Sequence, residues 1–165
     1  MKNVIVCSIV LVSSLAAENL FNNGNMDTAG GWKGGGKIIK GEPVKGTIVE
    51  EGAKAPVERY LQITAKKNGP VSFNQEIDTK DVFGVVLKFC YKTKDYKGPG
   101  LEIRGIRMDR SSTFTNRNLI ADGEWHEMFW DFKQVAGSRK VDFSFMVLQG
   151  EGEVQFDNIS AEASN

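Results

Sequence analysis

Apolar and polar residues alternate along most of this chain in short runs, each closed by a turn signal. In RYLQITAKK (59–67), Leu61, Ile63 and Ala65 share one face and Tyr60, Gln62 and Thr64 the other, and Asn68-Gly69-Pro70 ends the run. VSFNQEI (71–77) alternates Val71, Phe73, Gln75 and Ile77 with polar neighbours. VVLKFCYKTK (85–94) sets Val85, Leu87, Phe89 and Tyr91 against Lys88, Cys90 and Lys92, and Lys97-Gly98-Pro99-Gly100 then forces a reversal. LEIRGIRM (101–108) follows, and Asp122-Gly123 divides NLIADGEWHEMFWDF (118–132) into the two halves of an expected hairpin. VDFSFMVLQ (141–149), a Gly150/Gly152 turn and EVQFDNISAE (153–162) complete the series. A period of two with no sustained helical period predicts about eight to ten strands in an all-β sandwich or barrel. Residues 27–56, rich in Gly and Lys, are expected to hold two strands, near Ile38 and Ile48. No internal repeat or linker divides the chain, so one domain is expected over residues 17–165.

The first 16 residues, MKNVIVCSIVLVSSLA, break this pattern. Lys2, an apolar run from Val4 to Val12, and Ser14 and Ala16 at the −3 and −1 positions spell a secretory signal. The run is too short to span a bilayer, and no later window approaches roughly 18 uninterrupted apolar residues. A secreted or periplasmic monomer, not a membrane protein, is the expectation. Cys7 lies inside the apolar run and does not look like a lipoprotein attachment site. The full chain carries 21 basic and 21 acidic residues, and the leader removes only Lys2, which leaves 20 against 21. That balance argues against a polyanion binder such as a nucleic-acid protein. Beyond the leader only Cys90 remains, so packing rather than an internal disulfide must hold the fold.

Taken in order, the runs carry a family resemblance. NLFNNGNMD (19–27) with Gly31-Trp32 soon after, YLQIT, VSFNQEI, GVVLKFCYK, a DGEW that opens a strand closing in DF, and a terminal EVQFDNIS resemble the β-jelly-roll carbohydrate-binding modules of the family 4, 9 and 22 type, within the galactose-binding-like sandwiches. The resemblance covers nearly all of the chain after the leader. It implies a non-catalytic sugar-binding sandwich and, as in many members, a structural calcium ion tying the N-terminal segment to the last strand. The two acids of that pattern fall on Asp27 and Asp157. NLFNNGNMD would then be the first strand and turn, with Trp32 folded over an end of the core. Met26 stands where Phe is usual, and Asn158 where a second acid is common.

The remaining chemistry is sparse. GWKGGGKI (31–38) approaches a phosphate-binding loop but places Ile38 where the magnesium-binding hydroxyl belongs, so it reads as a loop. His126 is the single histidine; no paired metal-ligand spacing and no G-x-S-x-G accompany it, and alternation groups it with Met128, Trp130 and Phe132. Glu127 and Asp131 lie four residues apart on one strand face, about 13 Å, too far for a glycosidase carboxylate pair; partners on other strands stay open.

Phe73, Phe89, Tyr91, Phe143, Phe145 and Phe156 share faces with aliphatic residues and read as core. Phe129 faces outward beside Glu127 and Asp131, while Tyr60, Tyr96, Trp125 and Phe114 fall near edges or loops. Sugar rings stack on aromatic planes while polar groups bond their hydroxyls, which makes such aromatics the candidates for a glycan site. From Lys88 to Arg117 eight basic residues face three acids, with Lys88, Lys92 and Arg104 outward, so acidic polysaccharide is one ligand class and an ordinary solvated face the alternative. The candidate carbohydrate-binding set is Tyr60, Lys88, Tyr96, Arg104, Trp125 and Phe129. Asn158-Ile159-Ser160 matches a glycosylation sequon but falls in an expected strand and reads as chance. Two other functions fit the pattern: an adhesive sandwich that meets another protein, and a small polysaccharide-degrading enzyme using His126 with Arg104 or Arg107.

Overall fold

A computed structural model describes residues 19–28, 30–40, 59–80, 82–133 and 139–164. The leader and the strand expected near Ile48 lie outside the described residues. Among those residues the chain is all-β, with ten strands and no helix. They form two antiparallel five-stranded sheets of a jelly-roll sandwich. Sheet A runs in the order β1 (Lys33–Gly34), β4 (Val71–Asp78), β9 (Lys140–Val147), β6 (Leu101–Arg107), β7 (Ser112–Arg117). Sheet B runs β2 (Lys37–Lys40), β3 (Arg59–Thr64), β10 (Glu151–Ser164), β5 (Gly84–Lys97), β8 (Trp125–Lys133).

The period-two pattern dictates what each sheet buries. Phe73, Phe145, Phe89 and Phe156 all point between the sheets and are buried. Phe73 and Phe145 lie opposite each other in register and stack at 4.9 Å, while Phe89 meets Phe145 edge-on at 5.4 Å and Phe156 tilts against Phe73 at 5.0 Å. Rings from both sheets thus interlock, and each such contact adds about 0.5–1.5 kcal/mol beyond the area it buries. Trp130 and Phe132 join this core, as alternation required. Trp32 closes one end, packed on Phe21 at 5.0 Å and Phe73 at 5.3 Å, and its Nε1 donates to the Asn23 carbonyl at 3.0 Å.

Turn residues here mostly move the chain between sheets rather than closing hairpins. The Gly-rich stretch 34–36 carries it from β1 in sheet A to β2 in sheet B. Gly34 holds φ at +120°, and a methyl group there would collide with the Ser72 carbonyl. Its glycine is therefore a sheet-switching device, not part of a phosphate loop.

Three expectations need correction. Residues 118–121 form no strand, because β7 pairs with β6 in sheet A while β8 belongs to sheet B. Asp122-Gly123 instead makes a local turn into β8, with Asp122 Oδ1 accepting from the Glu124 N–H at 2.9 Å. β7, a polar Thr-rich strand, was not foreseen at all. Residues 19–27 are turn rather than strand, fastened to β10 by Leu20 N–H to Ala161 O at 2.9 Å and Ile159 N–H to Gly24 O at 2.8 Å.

Candidate functional site

The outer face of sheet A is built by residues that alternate with the core positions. One row crosses all five strands in register: Lys33, Asn74, Ser144, Arg104 and Phe114. Four strand spacings give it a length of roughly 19 Å. Phe114 ends the row on edge strand β7, 57% exposed, with the Arg104 guanidinium 5.9 Å from its ring centre. Arg104 is itself fixed, its Nε donating to Glu102 Oε1 at 3.0 Å. Asn74 Nδ2 donates to both carboxylate oxygens of Asp142, at 2.8 and 2.9 Å. Glu76 on the same face is bonded by Lys140 Nζ at 2.6 Å. The face is thus a shallow strip of planar polar groups that hold one another in place, with an open ring at one end.

The other candidates lie on the outer side of sheet B. Tyr60 on β3 and Trp125 on β8 stand three strand spacings apart, roughly 14 Å. Their ring centres are nonetheless 6.4 Å apart, so the two side chains lean together over β10 and β5. Beside this arch opens a cleft of about 890 Å³, floored by Lys92 and Gln155 and walled by the turn from Asp122 to Glu124. His126 Nε2 bonds Asp122 Oδ1 at 2.9 Å and helps fix that turn. Lys88 and Phe129 face each other in register further along the sheet; Phe129 is 69% exposed, and Lys88 pairs with Glu162 at 3.4 Å.

Tyr96 is not an outward ring. It is 5% exposed, and its hydroxyl donates to the Gly100 carbonyl at 3.0 Å and accepts from the Gly100 N–H at 3.1 Å. Folding of the Lys97–Gly100 reversal against the sandwich end uses the phenol as an internal strut, so its ring offers no stacking face. Arg104 is separated from Tyr60 and Trp125 by the whole sandwich. His126 is likewise apart from both arginines offered as catalytic partners. Arg107 points inward, its guanidinium 5.1 Å from the Phe132 ring and its Nη2 donating to the Lys133 carbonyl at the far end of β8.

The acids Asp27 and Asp157 do come close. A bulge shifts the β10 register between Asp157 and Ser160, and residues 19–24 fasten to β10 beyond it. Asp157 is 1% exposed; its Oδ1 accepts from the Asn158 N–H at 2.8 Å, while its Oδ2 is buried without a partner. Burial pushes its carboxyl up to about 7; the Asn158 bond works against this and the Asp27 charge with it. Asn25 Nδ2 bonds Asp27 Oδ2, and Arg59 Nη1 donates to the Asp27 carbonyl at 2.8 Å. Among the described residues no group of three or more His, Cys, Asp or Glu side chains gathers to hold a metal. Further ligands here would have to be carbonyls or amides, which calcium accepts. Cys90 lies opposite Asp157 on β5, and burial, then the charges of Glu127 and Asp157, push its thiol up to about 11.

Sequence reasoning missed Asn74, Asp142 and Glu102, and ranked Phe114 only as an edge aromatic. Alternation alone places Asn74, Asp142 and Glu102 outward. Their assembly depends on the β4–β9–β6–β7 pairing, which no local signal gives.

No protein-family profile and no curated protein sequence matches the chain. Solved structures do. A carbohydrate-binding module of family 4 aligns over 87% of this chain and 99% of its own, with a TM-score of 0.58 and 14% identity. The xylan-binding family 22 domain of Paenibacillus barcinonensis Xyn10C aligns over 90% and 96%, with a TM-score of 0.60 and 14% identity. The enzymatically active domain of bacteriophage CBA120 tailspike protein 4 gives a TM-score of 0.66 at 14% identity over 88% of this chain, which spans 21% of that one. The fold is therefore that of carbohydrate-binding β-sandwich modules.

Proposed function

We propose that this chain is an exported, non-catalytic carbohydrate-binding domain that takes an uncharged polysaccharide across the outer face of sheet A. The observation that carries the reading is the row from Lys33 to Phe114. It sets an exposed ring in line with a guanidinium and an amide already held by carboxylates. Saccharides present C–H faces to rings and hydroxyls to planar polar groups. Because Arg104 and Asn74 are fixed beforehand, little side-chain entropy is lost when a chain docks. The solved sandwiches of similar fold, one of them xylan-binding, support the ligand class.

The charges favour an uncharged ligand. Of the three outward cations offered to an acidic glycan, Lys88, Lys92 and Arg104, only Arg104 lies on this face, and Glu102 engages it. Lys33 and Arg104 on the three central rows of the face are outnumbered by Glu76, Glu102 and Asp142. Each of those acids is also tied to a partner, which supports binding rather than hydrolysis, since a general acid must carry a transferable proton. Asp27 and Asp157 fit a structural calcium. The unpartnered, buried Oδ2 of Asp157 and the repulsion from Asp27 are both relieved by a divalent cation, which would pin residues 19–28 to β10.

The test is retention on a panel of neutral polysaccharides that includes xylan, for the wild type and Phe114→Ala. Weaker retention in the variant with an unchanged melting temperature is the expected result. A variant that binds as well as the wild type, or failure of the wild type to bind any member, overturns the proposal. Breakdown of a polymer by the purified protein overturns its non-catalytic part.

A further inference from the structure

Resting on that glycan-binding reading, we propose that the cleft beside the Tyr60–Trp125 arch is a second carbohydrate site, which makes the domain bivalent. The cleft shares no residue with the row on sheet A and opens on the opposite side of the sandwich. The two surfaces are backed by sheets about 10 Å apart, so one straight stretch of chain cannot lie on both. Its volume, about 890 Å³, is within the range of small-molecule sites.

The lining selects the ligand class. Trp125 and Tyr60 supply aromatic surface, and Gln155 supplies an uncharged polar group. Three lysines, Lys92, Lys94 and Lys97, are matched by three acids, Asp95, Asp122 and Glu124, so the cleft has no net charge with which to draw a polyanion or a strongly charged peptide. Apolar rings among balanced polar groups fit an uncharged saccharide, the same class as on sheet A. The walls are also set in advance. Asp122 is bonded by Glu124 N–H and His126, Lys94 pairs with Glu153 at 3.7 Å, and Gln62 Nε2 donates to Glu153 Oε1 at 3.1 Å. Two sites facing opposite ways engage two chains, or two bends of one, and tie them together. Binding to a polymer is then strengthened by effective concentration without any new contact.

Calorimetric titration with a xylo-oligosaccharide and a β-linked gluco-oligosaccharide tests this, with Trp125→Ala, Glu124→Ala and Phe114→Ala beside the wild type. The wild type takes up two oligosaccharides per chain. Trp125→Ala takes up one, and the exposed Glu124, whose loss leaves the fold untouched, weakens only the cleft when replaced. A stacking ring removed from the cleft lowers its affinity roughly ten-fold or more. Clouding of soluble xylan by the wild type, a sign of bridged chains, disappears in both Trp125→Ala and Phe114→Ala. One oligosaccharide per wild-type chain, lost in Phe114→Ala and unchanged in Trp125→Ala and Glu124→Ala, overturns the second site and leaves the sheet A face standing. The reverse pattern overturns the sheet A face and bivalency together. No uptake of either oligosaccharide overturns both.

Discussion

Replacing Asp157 by Asn tests the physics of the proposed metal site directly. In the metal-free protein this carboxyl is 1% exposed, has an unpartnered oxygen, and is pushed up to about 7. An unfolded chain titrates the same group near 4, a gap of about three pH units at roughly 1.4 kcal/mol each, or about 4 kcal/mol in all. The folded state holds the proton more tightly, so this stabilisation is complete below about pH 4 and is lost as pH rises through about 7. The amide that replaces the carboxyl in the variant stays neutral throughout. Thermal melts in chelator at about pH 8 should show Asp157→Asn to be the more stable protein by up to about 4 kcal/mol, on the order of 10 °C at this chain length. At about pH 4 the two should melt together. Calcium should raise the wild type at pH 8 and leave the variant unmoved, because the ion needs the charged carboxylate. A wild-type profile that stays flat from pH 4 to 8 in chelator, or a variant less stable than the wild type at pH 8, refutes the reasoning.

Other expectations follow from single residues. Gly34→Ala forces a side chain into a positive-φ crossing against the Ser72 carbonyl and should cost about 2 kcal/mol or more, read as a lower urea midpoint. Cys90, buried and titrating near 11, should resist iodoacetamide at about pH 8 in the native protein and react once the chain is denatured; rapid labelling of the native form would contradict the burial.

Much of the fold was legible because a sandwich core enforces a period of two. Phe73, Phe89, Phe143, Phe145, Phe156, Trp130 and Phe132 were all assigned inward from alternation, and all are buried. Alternation also turned Phe129 outward correctly. It could not say which strands would be neighbours, and the candidate site depends on that. Arg104 was placed with Tyr60 and Trp125 although β6 and β8 belong to opposite sheets. Asp122-Gly123 carries the residues of a tight hairpin, yet local turn chemistry is the same whether the next strand pairs back or crosses to the other sheet. Tyr96 misled for a related reason. Its place next to a Gly-Pro-Gly reversal marked it as an edge residue, whereas that reversal folds inward and captures the hydroxyl. Asp27 and Asp157, 130 positions apart in sequence, are paired only by the family resemblance, and in the fold the Asp27 charge is one of the influences that raise the Asp157 carboxyl.

Strand β10 sits in the middle of sheet B, between β3 and β5, yet it is formed by residues 151–164. A ribosome delivers that strand after all the others. Until it arrives, β3 and β5 have an empty lane between them, and the aromatic interior has no lid on that side. Acquisition of structure should therefore be abrupt and late, governed by slow long-range pairing rather than by stepwise growth from the first strands. Until residues 151–164 have emerged, the phenylalanines that β10 covers stay open to solvent and to association with other chains.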